Sequence, residues 1–183
     1  SVMLLLNWAG ILVVPALFLS YARMVILRKS LHILVLLCVA SPTFGETLMD
    51  GLRAYDGGRY AEAAIVWARL AKAGDIDAQT ALAGLYISAP PGIAYSPTKA
   101  ASLYRQAAEQ NDPIAQMNLG DFYARGIGVS IDLAKAAFWL GRAANKDYDW
   151  AAERLRQIEP KLTIVDRAEV ARLTAEWRVM HPQ

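Results

Sequence analysis

Cysteine occurs once in the 183 residues, at Cys38, so no intrachain disulfide framework is possible and cysteine usage does not identify a compartment. Histidine is almost as scarce. His32 and His181 have no partner at metal-ligand spacing, so no zinc site is expected. Ser41, Ser88, Ser96, Ser102 and Ser130 have no histidine base within the surrounding sequence, which argues against a Ser-His-Asp hydrolase. Acidic residues are missing from 1–45 altogether, where Arg23, Arg28 and Lys29 are the only formal charges. Residues 46–183 hold 16 basic and 17 acidic residues, so the overall charge of +2 belongs to the N-terminus and the body is near neutral. A body without a basic excess is not expected to bind nucleic acid. With 55% hydrophobic residues the chain is not a disordered polar one either.

Of the first 45 residues, 31 are apolar or aromatic. Residues 2–22 carry no charge, and at about 1.5 Å per residue they could cross a hydrocarbon core of about 30 Å. Residues 31–40 form a shorter apolar run after Arg28 and Lys29 and before Ser41-Pro42-Thr43-Phe44-Gly45. Basic flank, apolar centre and small-residue exit are the layout of a secretory signal, readable from Met24. Leu37 before Cys38 is too large for a lipid-anchoring motif. We therefore expect a transmembrane segment or upstream extension over 1–23, and a signal peptide or second membrane segment over 24–45. The basic residues would hold the turn between them in the cytoplasm. Either way, the body is expected to be periplasmic or otherwise exported, or anchored on the outer side of an inner membrane.

The body repeats. Ala78-Gln79-x-x-Leu82-Ala83-x-x-Tyr86 recurs 37 residues later as Ala115-Gln116-x-x-Leu119-Gly120-x-x-Tyr123. Lys99-Ala100-Ala101 and Ala107-Ala108 recur 36 residues later as Lys135-Ala136-Ala137 and Ala143-Ala144. The one-residue slip falls in 87–97, where a loop accepts insertions. A weaker first copy covers about 47–75, with Gly57-Gly58 as its turn and Trp67 and Ala71 in its second helix; a partial fourth covers 149–158. Asp112-Pro113, Ser96-Pro97-Thr98 and Asp132 read as helix starts, each with a side chain able to cap free amides and two with proline at the first helical position. The carboxylate pairs Asp75/Asp77 and Asp147/Asp149 fall at joints between units and are read as caps rather than as acid–base pairs. Gly126-Ile127-Gly128 lacks the Gly-Lys-Ser/Thr ending of a phosphate loop and reads as a turn. Alanine makes up 28 of the 138 body residues, which favours helix and lets backbones approach closely. A single two-helix unit cannot bury its apolar face, so neighbouring units must stack.

The third unit is similar to the Sel-one-like repeat (SLR) family, relatives of tetratricopeptide repeats. Gly126, Gly128, Val129, Asp132, Lys135, Ala136, Trp139, Ala143 and Ala144 carry the likeness. The second unit departs from it, with Pro90-Pro91-Gly92 at the glycine turn and Leu103 in place of the tryptophan. The resemblance implies an all-α, right-handed α-solenoid of about three units over 46–158, with units at 47–75, 77–112 and 113–148. A C-terminal helix over 163–178 would close it, with a capping box at Thr163 and Asp166 and a stripe of Ile164, Ala168, Ala171 and Ala175 with Val170 and Trp177 nearby.

Tetratricopeptide architecture further implies a concave groove lined by the first helix of each unit. Carried onto this sequence, its residues are Asp77, Thr80 and Gly84 in the second unit and Ile114, Met117, Asp121 and Arg125 in the third. A mixed polar and apolar groove suits a peptide or protein segment. The expected function is a non-catalytic scaffold or adaptor in the bacterial envelope, without cofactor, metal or nucleic acid. The alternative is an accessory protein contacting peptidoglycan or cell-wall enzymes; a hydrolase ranks behind both.

Overall fold

The structure, a computed structural model, describes residues 46–182. The membrane segment and signal peptide expected over 1–45 lie outside the described residues. Among the described residues no helix is long and apolar enough to cross a membrane. The described chain is helical throughout: α1 (Leu48–Asp56), α2 (Tyr60–Lys72), α3 (Ile76–Ser88), α4 (Pro97–Glu109), α5 (Pro113–Arg125), α6 (Leu133–Ala144), α7 (Asp149–Ile158), a 3-10 turn (Glu159–Lys161) and α8 (Ile164–Met180). Each helix packs on the next from α1 to α7, and α8 returns to lie on α6.

The joints between units repeat in atomic detail. Gly74, Asn111 and Asp147, spaced 37 and 36 apart, all take left-handed backbone with φ of 96°, 71° and 63°. The next residue caps the following helix in two cases: Asp75 accepts from the Ala78 amide at 2.8 Å and Asp112 from the Ala115 amide at 2.7 Å. Asp132 caps α6 in the same way, through the Lys135 amide at 2.9 Å. Two capping expectations fail. Ser96 makes no side-chain cap, and Pro97 at the first helical position sets the start of α4 instead. Asp147 occupies the left-handed position itself, so the residue before α7 is Tyr148, which does not cap, and Asp149 sits in the first turn where its charge complements the helix dipole.

The recurrent glutamine has a buried role. Gln79 donates to the Ala71 carbonyl and Gln116 to the Ala108 carbonyl, both at 3.2 Å. Each ties the first helix of one unit to the last turn of the helix before it. The one-residue slip leaves the loop closure intact: the Ser96 amide donates to the Tyr86 carbonyl at 3.1 Å, and the equivalent Asp132 amide to the Tyr123 carbonyl at 3.0 Å.

Alanine supplies 15 of the 28 buried apolar residues, so the helices meet at short distance and large side chains fill the remaining gaps. Two clusters form. One gathers Trp67, Val66, Leu82 and Leu85 around the first unit; the other runs from Ala83 through Tyr104, Phe122, Trp139 and Leu140 to Trp177. Tyr86 and Leu103 pack against both. Leu103 stands 36 residues after Trp67 and before Trp139, and it holds the same register with a smaller side chain.

The C-terminal helix forms with the expected capping box: the Asp166 amide donates to Thr163 Oγ1 at 3.1 Å and the Thr163 amide donates to Asp166 Oδ2 at 2.8 Å. Its packing face differs from the one expected. Ile164, Ala168, Ala171 and Ala175 are exposed, and of the expected residues only the neighbouring Val170 and Trp177 face the core, together with Leu173. The indole decides the face, because Trp177 meets Trp139 at 5.5 Å and Phe138 at 6.0 Å between ring centroids and outweighs three alanines in buried apolar area.

Candidate functional site

The first helices α3 and α5 carry the positions expected to line the groove. Helix α5 is fixed at one end by its Asp112 cap and Pro113, and at the other by Gly126, whose φ of 71° ends the helix in left-handed backbone. Between these ends, Ile114, Met117, Asp121 and Arg125 follow the spacing of one helix face. Ile114 is exposed, whereas Met117 is half-buried against the larger core cluster.

On α3 the three expected residues have separate roles. Asp77 is exposed in the first turn. Thr80 donates its hydroxyl to Asp112 Oδ1 at 3.3 Å, reaching the cap of the next unit, so it serves the joint. Gly84 faces Tyr104: a Cβ there would meet the phenol oxygen at 3.7 Å, an ordinary contact, so packing does not require a glycine. Burial pushes the Tyr104 phenol up to about 12, which keeps it neutral.

Asp121 is the centre of the best-formed part of this face. It is 8% exposed, and its carboxylate bridges two cations: Oδ2 to Arg125 Nη1 at 3.0 Å within α5, and Oδ1 to Arg154 Nε at 2.8 Å on α7. Arg154 Nη1 then donates to Gln157 Oε1 at 3.0 Å, and Gln157 Nε2 to Glu153 Oε1 at 3.2 Å. Hydrogen bonds from Arg156 hold the Glu153 carboxyl below its ordinary value. These residues surround a cavity of about 350 Å³ lined by Asp121, Arg125, Trp150, Glu153, Arg154 and Gln157. Trp150 is 52% exposed at its rim. Of the seven expected residues, the cavity brings together Asp121 and Arg125.

Sequence reasoning missed Trp150, Glu153, Arg154 and Gln157. The signal was present: the 36-residue offset that relates Ala115 to Ala151 also carries Ile114 to Trp150, Met117 to Glu153 and Asp121 to Gln157. Treating the fourth unit as partial stopped the register one helix short.

The chemistry on offer is recognition. A half-exposed indole, a half-buried Asp–Arg pair and a fringe of amide and carboxylate groups are side chains of the kind that anchor protein contacts. Among the described residues, no group of three or more His, Cys, Asp and Glu could hold a metal ion.

The Sel1 repeat family matches residues 76–112 and 113–148. No curated protein sequence matches the chain. Among solved structures, a protective antigen present in uropathogenic Escherichia coli strains and displaying an SLR fold is similar at 26% identity and a TM-score of 0.64, covering 70% of this chain and 28% of that one. A Sel1 repeat protein from Oxalobacter formigenes is similar at 26% identity and a TM-score of 0.57, covering 61% of this chain and 46% of that one. The chain thus spans less than half the length of either. Repeats of this kind generally mediate protein–protein interaction and are typically non-catalytic. Residues 76–112 and 113–148 of this chain match the Sel1 repeat, and its all-helical fold is similar to that of SLR-fold proteins.

Proposed function

We propose that the chain is a non-catalytic adaptor that holds a peptide segment of another protein along α3, α5 and α7. The observation that carries this reading is the exposed Trp150 beside the half-buried ion pair of Asp121 and Arg154, in the cavity between α5 and α7. A half-exposed indole offers a large rigid contact at low entropic cost. The pre-formed ion pair needs no reorganisation when a partner arrives.

The adaptor works in the bacterial envelope, exported or held at the inner membrane with its repeats outside. Support for this comes from the acid-free 1–45, with its apolar runs around Arg23, Arg28 and Lys29. Two experiments test the reading. Affinity capture from envelope extracts compares the wild type with Met117→Glu, Arg125→Glu and Trp150→Ala; a partner set unchanged in all three variants sinks the groove. A reporter enzyme active only outside the cytoplasm, fused after Gln183, should work; an expressed but silent fusion overturns export.

A further inference from the structure

A second cavity, of about 980 Å³, lies away from the groove, where α8 crosses α6 and the turn after α7. Its size is at the upper end of the ~300–1,000 Å³ range of ligand pockets. Its apolar wall includes Phe138, Leu155, Leu162, Val170 and Trp177. Its polar lining is unbalanced: it includes Arg142, Arg167 and Arg178 but a single acidic residue, Glu159. None of these three arginines forms an ion pair among the described residues, although eight other cations do.

Each cation whose bonds can be traced is held by a neutral partner. Arg142 Nη2 donates to Asn111 Oδ1 at 3.0 Å, its Nε is buried with no partner, and its guanidinium lies 3.9 Å from the Trp177 ring. Arg167 Nη2 donates to the Glu159 main-chain carbonyl at 2.9 Å. Lys146, next to Arg142 on the same side, donates to the Asn111 carbonyl. His181 stacks on Trp177 with ring centroids 3.7 Å apart. Burial disfavours the charged forms of Arg142 and Lys146, and Arg142 adds repulsion to Lys146. Positive charge is therefore concentrated in a partly desolvated cavity of a body whose net charge is −1. A protein that keeps more cations than counter-charges at such a site, here with Glu159 in the lining and Asp112 acting on Lys146, leaves room for an external anion.

We propose that this cavity binds a peptide segment of a partner protein that carries a carboxylate beside an apolar side chain. The carboxylate lies among Arg142, Arg167 and Arg178, and the apolar group lies against Trp177, Leu162 and Val170. A nucleic acid is the poorer fit, because the surrounding body offers no basic track for successive phosphates. The proposal rests on the protein-binding reading but assigns a different surface from the α5–α7 groove.

The test is fluorescence polarisation on the full chain with labelled Gly-Ser-Asp-Glu-Leu-Phe and a control with Asn and Gln for the acids and an amidated end. The acidic peptide should bind at least about tenfold tighter than the control and weaken steeply as salt rises past a Debye length of about 10 Å. Arg178→Gln, at an exposed position, and Arg142→Gln should each weaken it about fivefold or more, with helical circular dichroism unchanged. Arg142→Gln removes a stacking contact, so Arg178→Gln carries the decision if the former unfolds. Equal binding of both peptides, or wild-type binding by Arg178→Gln, overturns the proposal. Saturation by inorganic phosphate with no peptide binding also overturns it and assigns the site to a free anion. Loss of binding in Arg125→Glu but not in Arg178→Gln places the peptide in the groove, overturning this site while leaving the adaptor reading intact.

Discussion

Gly126 and Gly128 have nearly the same left-handed backbone, φ of 71° and 67°, and therefore nearly the same intrinsic cost of gaining a side chain, about 1–2 kcal/mol each. Their surroundings differ. A Cβ on Gly126 would come within 2.9 Å of Ile131 Cγ1, part of a side chain that is 67% exposed and has solvent to rotate into. A Cβ on Gly128 would lie 2.3 Å from the carbonyl carbon and oxygen of Pro97 and 2.6 Å from the Thr98 amide nitrogen, all main-chain atoms at the start of α4. Those atoms cannot yield without moving the helix, and overpacking of that kind adds about 1–3 kcal/mol. Gly126→Ala should therefore cost about 1–2 kcal/mol and Gly128→Ala about 2–5 kcal/mol. Urea denaturation followed by circular dichroism reads the difference as a shift in midpoint at constant slope. In thermal melts each kcal/mol corresponds to about 3–5 °C for a body of this size. If Gly128→Ala is no more destabilising than Gly126→Ala, the close approach of the third unit's turn to the second unit does not limit stability, and the reasoning fails.

Gln116→Leu should cost about 1–3 kcal/mol in urea, because it removes two side-chain hydrogen bonds, to the Ala108 carbonyl, which keeps the Asn111 amide, and to Asn111 Oδ1; a neutral result would mean that the amide tie between units is dispensable. Trp177→Ala removes the ring that joins Phe138, Trp139 and Arg142, and should cost about 3–5 kcal/mol with loss of near-ultraviolet circular dichroism; unchanged stability would show that α8 is not part of the cooperative core. Asp132→Ala should cost about 1 kcal/mol at neutral pH through loss of the α6 cap. Burial acts to raise the Asp132 carboxyl, but hydrogen bonds from the Lys135 side chain and amide outweigh it and leave the folded-state value below the ordinary one. Its contribution is thus complete above a pH of about 4 and lost as pH falls through the depressed value, so the gap between wild type and Asp132→Ala should close on acidification. A gap that stays constant to strongly acid pH would assign the effect to helix propensity.

The repeat was legible because each unit must solve the same packing problem with the same residues. Ala78-Gln79 and Ala115-Gln116 are visible as strings, and their function as buried ties follows once Ala71 and Ala108 are seen at the same offset. Helix starts at Asp75, Asp112 and Asp132 were equally readable, since capping depends on a residue and its three successors. Asp147 misled because a carboxylate before a helix can cap or take left-handed backbone, and only the length of the preceding turn decides which. The groove residues were legible one by one, but the ion pair from Asp121 to Arg154 joins positions 33 apart on two helices. No local pattern announces such a pair.

By itself the sequence determined the helical units, their period of 36–37 residues, the caps and the concentration of charge-free residues at the N-terminus, because these depend on neighbours in the chain or on a repeating constraint. Tertiary structure decided which face of α8 is buried. An alanine stripe and a face bearing Trp177 are both helical patterns, and the choice falls to whichever covers more apolar surface on α6. It also decided that Arg142, Arg167 and Arg178 share one cavity. Their proximity is set by how α8 crosses back over α6, a geometry fixed by packing between helices rather than by any residue's neighbours in the chain.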